Sequence, residues 1–338
     1  MIGMSQASVQ NVQFYDEPAI QLNAGGYQAV IVPGLGANMV ELSRPEEGLS
    51  FLRTPGTIEQ LRQSGQRYGI PPLFPPNRIE GGIFSTPHRD YTFPLNSSDG
   101  KVFMHGILHK RPWQIQSSGV REDGSVEVSL LMNMNRDGDM FAYYPHEFTY
   151  VLTYFLSEQG LEQQIRITNL SDEPMPLGVG FHTALKVPFH QEGQEQDYSL
   201  RVSVDKQWEL TSEFLPTGVL LPLDEMDREL RQDGIRPTGE AYARHLTGGA
   251  IQHNGSDFYG AILTDQQRQI SLVYEVDPAF GHWTIWNDDG VSGFICPEPQ
   301  TWAINAPNIS LPDAVTGFQL LAPGAEWTAS SRLYVEHQ

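Results

Sequence analysis

The sequence predicts an all-β fold, a large antiparallel β-sandwich, on three observations. Apolar residues recur at every second place in several windows. Gly (32) and Pro (24) punctuate the 338 residues, and charged residues make up only 18% of them. Alternation with period two marks a half-buried strand, and frequent Gly and Pro call for many turns in place of long solvent-facing helices. No regular strand-helix alternation accompanies them, which argues against a doubly wound parallel sheet.

The elements follow in order. Tyr27 to Val32 is β-branched and apolar, Pro33 to Gly36 reads as a turn, and Asn38 to Leu42 resumes the strand pattern, giving an opening hairpin. Thr57 is placed to cap a short helical segment running through Gln63. Val126, Val128, Leu130, Met132 and Met134 alternate along one strand, and Phe148, Tyr150, Leu152, Tyr154 and Leu156 along the next. The turn Ser157-Glu158-Gln159-Gly160 leads into a third strand, Leu161 to Asn169, which stops at Ser171-Asp172-Glu173-Pro174, so antiparallel pairing is expected. Asp224 to Gln232 could add a turn or two of helix within a long connection. Neither helical piece is long enough to anchor a layer. There is no internal repeat, and residues 178–244 lack the bias of a linker. One domain is therefore expected over residues 1–338, with its core at about 20–335.

Composition narrows the partners. Acidic side chains (41) outnumber basic ones (21), so a formal charge of -20 repels phosphate backbones and anionic membranes; neither nucleic acid nor membrane is an expected partner. The one cysteine, Cys296, cannot close an internal disulfide and reads as a packing residue. Without a basic, then apolar, leader or a spanning apolar run, a cytoplasmic protein is expected. His245 and His253 do not fit a zinc spacing, and Gly81-Gly82 and Gly248-Gly249 lack the Lys and Ser/Thr of a phosphate loop. No metal and no cofactor are expected. Asp288-Asp289 before Gly290 reads as a turn.

Four segments set a polar side chain among small, aromatic or turn residues: Pro76 to Gly82, Met104-His105-Gly106, Gly180-Phe181-His182 and Cys296-Pro297-Glu298-Pro299. Arg78 beside two glycines could hold ligand oxygens where backbone approaches closely, or could simply pair with Glu80 on a turn. His105 and His182, each taken alone, read as structural histidines before cleft imidazoles. Glu298, between two prolines in an apolar run, would need a partner or a purpose for its charge. Trp283, Trp286, Trp302, Tyr143 and Tyr144 could stack on sugar rings, although aromatic residues on strands more often fill a core.

Taken together and in this order, the segments resemble the aldose 1-epimerase (galactose mutarotase-like) family. The opening from Ala29 to Leu42, Asn77-Arg78-Ile79 with Gly81-Gly82, and His105-Gly106 with Pro112-Trp113 match in sequence order. So do Asn169 to Pro176 leading into His182, Glu298-Pro299, and Leu321 to Gly324. The resemblance implies the family's β-sandwich, with His182 as general acid, Glu298 as general base, and Arg78 and His105 as ligands to sugar oxygens. Asp257, before Phe258-Tyr259, looks like its substrate-binding aspartate. Thr183-Ala184 follow the histidine where many members carry Pro-Tyr, and His109 stands near where some carry an Arg, which implies a different wall beside the acid.

The implied reaction interconverts the α and β anomers of a free aldose by ring opening and closure. It needs a protonated His182 and an ionised Glu298, each favouring the other's charged state. Two rivals share the fold. A hexose-6-phosphate 1-epimerase would need extra cations, for which Arg67, Arg89, Lys110 and Arg111 are available. A non-catalytic sugar-binding protein would keep the cleft without the chemistry. The oligomeric state is left open.

Overall fold

The computed structural model describes residues 6–337. Three antiparallel sheets carry most of the chain. A five-stranded meander runs from Ser8–Phe14 through Glu17–Ala24, Tyr27–Val32 and Asn38–Arg44 to Leu49–Ser50. The expected opening hairpin lies within it, its strands joined by a 3-10 turn at Pro33–Leu35 and by Gly36 in the left-handed region.

An eight-stranded sheet orders its strands Gln114–Val120, Val126–Met134, Phe148–Ser157, Gly160–Asn169, Glu326–His337, Ile270–Val276, Gly260–Asp265 and Tyr198–Val202. Its central hairpins have the register that the alternation implies: Val126 faces Leu156, Met134 faces Phe148, and Leu156 faces Leu161 across the tight turn closed by Gly160. Alternation places Val126, Val128, Leu130, Leu152, Tyr154 and Leu156 on the buried face, each 0% exposed. Burying a side chain of that size stabilises the fold by about 1.5–3 kcal/mol relative to leaving it in water.

The third sheet carries the site. We label the strands that hold its residues: β1 (Arg78–Glu80), β2 (Val102–Met104), β3 (Gly180–Phe181), β4 (Ala243–Gly248), β5 (His282–Trp286) and β6 (Phe294–Gln300). β4, β5, β6 and β3 are consecutive neighbours, extended beyond β4 by Val204–Leu210 and Pro216–Pro222 and beyond β3 by Pro72–Leu73. β1 and β2 form a separate pair in which Arg78 faces Met104. One buried cluster joins all three sheets, among others through Leu22 and Ile31, Leu152 and Tyr274, and Leu246, Trp283 and Ile295.

Helix is confined to short pieces. α1 (Ile58–Ser64) is capped by Thr57, whose hydroxyl accepts from the Gln60 N–H at 3.3 Å. α2 (Glu225–Gln232) is capped by Asp224, whose carboxylate accepts from Asp227 N–H at 2.8 Å. Among the described residues no helix is long and apolar enough to cross a membrane.

Candidate active site

A cavity of about 260 Å³ is lined by residues on or beside β1, β2, β3, β4, β5 and β6. Glu298 sits in the middle of β6, a strand buried at all seven positions, directly across from Thr284 of β5. His182 follows β3, its N–H donating to Pro71 O at 3.2 Å. The approach to His182 depends on Gly178, because a Cβ there would lie 2.4 Å from the Trp302 indole. The result is one buried contact, His182 Nε2 to Glu298 Oε1 at 3.3 Å. The other atoms of the pair, His182 Nδ1 and Glu298 Oε2, are buried and bond nothing within the chain.

Arg78 reaches the same cavity from β1. Its Nη1 donates to Asn77 Oδ1 at 2.9 Å, and its guanidinium lies 4.9 Å from the centre of the Phe214 ring. Asn77, at φ 56°, is itself held by donating Nδ2–H to Thr284 Oγ1 at 3.0 Å. That hydroxyl also accepts from Gln300 Nε2 at 3.1 Å, so one threonine ties β1 to β5 and β6. His105, at φ 62°, donates its N–H to Asn77 O at 2.7 Å. The next residue must be glycine, since a Cβ at Gly106 would lie 2.2 Å from Phe74 O. The His105 ring stands edge-on to His182 with centroids 5.3 Å apart.

The opposite wall is built by Arg67 and Trp286. Arg67 leaves a short 3-10 turn at Gly65–Arg67 and forks onto Asp288 with bonds of 2.8 and 3.3 Å. Its guanidinium lies 5.2 Å from the Trp286 ring centre, and that indole in turn meets His182 edge-on at 5.7 Å.

Burial sets the protonation of the pair. It drives the His182 imidazole down to about 3, with His109 and then Arg67 and Arg78 adding to the fall. It drives the Glu298 carboxyl well above its usual range, opposed mainly by Arg78. Burial thus opposes the charged form of each partner, a pull against the mutual stabilisation of charges that the sequence reading expects. His105 is likewise held neutral, well below the ordinary histidine value, by burial and then by its histidine neighbours. Arg78 is lowered by burial but remains a cation.

Four of the five residues singled out from sequence thus converge: His182, Glu298, Arg78 and His105 all line the cavity. Asp257 is not among them. It lies exposed on the hairpin Ile251–His253/Ser256–Phe258 and accepts a bond from Gln252. Thr183 and Ala184 do not form the wall beside the acid either. Thr183 is buried and donates to the Tyr274 hydroxyl at 3.2 Å, and Ala184 packs on Phe294 and Cys296. The Gly81-Gly82 turn lies outside the cavity lining; both residues have positive φ and serve to reverse the chain. Trp283, Trp302 and Tyr144 are core, whereas Trp286 is half-buried and faces the cavity. Thr284 and Phe214 were not legible as site residues, because each comes from a segment with no motif of its own; Arg67, available in sequence only as a spare cation, is placed in the lining by the fold.

A family model described as aldose 1-epimerase matches residues 18–334, and the chain belongs to that family. A crystal structure of a galactose mutarotase-like protein from Clostridium acetobutylicum superposes with a TM-score of 0.96 at 33% identity, covering 98% of this chain and 99% of the other. Galactose 1-epimerase from Lactobacillus acidophilus NCFM superposes with a TM-score of 0.71 over 98% of each chain, but at 14% identity that likeness is one of fold alone. The uncharacterized protein YihR of Escherichia coli K12 is 25% identical over 258 residues, 75% of this chain and 74% of that one.

Proposed function

We propose that the protein is an aldose 1-epimerase acting on a free aldose in the cytoplasm without a cofactor, as one sandwich domain. The observation that carries this reading is the buried His182–Glu298 contact of 3.3 Å, flanked in one cavity by Arg78 and His105.

Ring opening removes a proton from O1 and delivers one to O5. The O1–H electrons form the C1=O1 double bond, and the C1–O5 pair leaves with O5. Both oxygens are bonded to C1, so the base and acid must be neighbours, as Glu298 and His182 are. Burial favours a neutral pair, and a single proton moved from Glu298 to His182 Nε2 converts it into carboxylate base and imidazolium acid. Sugar hydroxyls donating to Glu298, together with Arg78, would favour that shift by stabilising the carboxylate. His105 and Arg78 hold the sugar oxygens. Rotation about C1–C2 then presents the other aldehyde face, and the reversed transfers close the ring.

Saturation-transfer NMR of anomer exchange tests this. His182→Asn and Glu298→Gln are each expected to lower exchange by at least about 10²-fold with the fold retained. Exchange at the wild-type rate in either variant would remove the assignment.

A further inference from the structure

Thr284 Oγ1 is surrounded by donors. Asn77 Nδ2 reaches it at 3.0 Å, and that amide cannot turn round, because Asn77 Oδ1 is taken by Arg78. Gln300 Nε2 reaches it at 3.1 Å; the same amide pulls the Glu298 carboxyl down, as an N–H end does and a carbonyl end does not. His245 supplies the third. Its Nε2 accepts from the Ile304 N–H at 3.0 Å, so the proton of the imidazole sits on Nδ1, 3.1 Å from Trp283 O and 3.3 Å from Thr284 Oγ1.

A hydroxyl has two lone pairs and one proton. Here N–H groups occupy the lone pairs, and none of the three neighbours can accept, so the Thr284 proton has no acceptor among the described residues. Thr284 is 3% exposed and lines the cavity. A donor left over in so buried a place is destabilising until a ligand takes it up. Glu298 is the register partner of Thr284 across the β5–β6 ladder, and the side chains of such a pair stand on one face with Cβ atoms about 4.5–5.5 Å apart. Its Oε2 is equally buried and bonds nothing within the chain. An unused donor and an unused acceptor therefore stand side by side in the cavity. The group that satisfies both is a hydroxyl, accepting from Thr284 and donating to Glu298.

We propose that this hydroxyl is O1 of the sugar, and that Thr284 is a further catalytic residue, donating to O1 while Glu298 takes the proton from it. This rests on the mutarotase reading above, in which Glu298 is the base for O1. In ring opening the O1 proton passes to Glu298, its electron pair becomes the second bond of C1=O1, and the C1–O5 pair leaves with O5, which takes a proton from His182. Thr284 keeps its own proton throughout. O1 is most negative after its proton has begun to leave and before the double bond is complete, so a donor already in place stabilises that point more than the bound sugar. In ring closure the same donor polarises the aldehyde oxygen and readies C1 for attack by O5. The three N–H groups on Oγ1 draw density from it, which makes its proton a stronger donor than that of a free hydroxyl.

The test takes the sugar that wild type exchanges fastest among glucose, galactose, mannose and xylose, together with its 1,5-anhydro analogue, which keeps the ring and the other hydroxyls but lacks O1. Thr284→Val should lower kcat/KM for anomer exchange by at least about tenfold, while the analogue inhibits wild type and variant within about twofold of one another. Thr284→Ser, which keeps the hydroxyl, should stay within about threefold of wild type in both measurements. Were Thr284 only a prop for Asn77 and Arg78, Thr284→Val would weaken the analogue by the same factor as exchange, and that result overturns the proposal. Unchanged exchange in Thr284→Val overturns it too, and both results leave the epimerase reading in place. If Thr284→Val does not fold, Thr284→Cys serves in its stead: its sulfur still accepts from Asn77 but its S–H is a weak donor, so the same separation of exchange from inhibition is expected, and its absence overturns the proposal. Exchange of no sugar by wild type removes both.

Discussion

Acidification from pH 7 to pH 5 is expected to destabilise this protein steeply, because burial favours the neutral form of six imidazoles in the fold. His109 and His146 are depressed to about 4 and His182 and His282 to about 3, all mainly by burial, and His105 and His245 are held well below the usual histidine value for the same reason. In the unfolded chain each would take up a proton near pH 6.5. A depressed histidine contributes stability that is complete above that value and is lost as pH falls toward the folded value. Near pH 5 the unfolded state therefore binds up to six more protons at these sites. Glu41, Asp227 and Glu298 work in the other direction, since burial raises all three and keeps protons on the folded state. Even with these three subtracted in full, about three protons remain. At about 1.4 kcal/mol per proton per pH unit, stability should fall by roughly 4 kcal/mol per unit between pH 6 and pH 5. Typical domains hold only about 5–15 kcal/mol in total. Urea titrations at fixed ionic strength across pH 7 to 5 would measure the slope, and a loss below about 1 kcal/mol per unit would refute the reasoning.

Other outcomes follow from the same geometry. The pair's one internal proton predicts a flat kcat/KM across neutral pH. It falls on the acid side as the pair takes a second proton and on the alkaline side as Glu298 loses its own; a drop centred near pH 6.5 with the fold intact would contradict a neutral pair. Leu152→Ala, in the fully buried face of the eight-stranded sheet, should cost about 2–5 kcal/mol in urea unfolding without changing KM. Asp257→Asn should leave exchange within about twofold, since its side chain is exposed and bonds only Gln252; a tenfold loss would mean that the hairpin reaches the sugar.

Where alternation was strong the sequence told the fold plainly. Val126–Met134 and Phe148–Ser157 bury every second side chain against one core, so composition and register agree. The strand Glu326–His337 was not legible. It runs through Thr328, Ala329, Ser330 and Ser331, small residues with little apolar signal, and it is held by neighbours on both sides. In the site, the segments of His182, Glu298, Arg78 and His105 stood out by their glycines and prolines, and the order of those segments, through the family resemblance, made the four residues readable. Arg67 and Trp286 were only two among several candidate cations and aromatics, since what places Arg67 at the site is a contact with Asp288 across 221 positions of sequence. The pull of burial on the pair was not legible for a related reason: sequence shows which charges are near, but not how dry their surroundings are.

The place of Glu326–His337 bears on how the chain is made. It fills the slot between Gly160–Asn169 and Ile270–Val276, so two strands wait for it with unpaired edges. On the ribosome, at roughly 5–20 residues per second, the first of those edges stays open for on the order of ten seconds while residues 170–325 are added. An open edge is a template for a foreign strand. Slowed elongation in that interval, or loss of the closing strand, should therefore show up as aggregation of nascent protein well before it shows up as a change in catalysis.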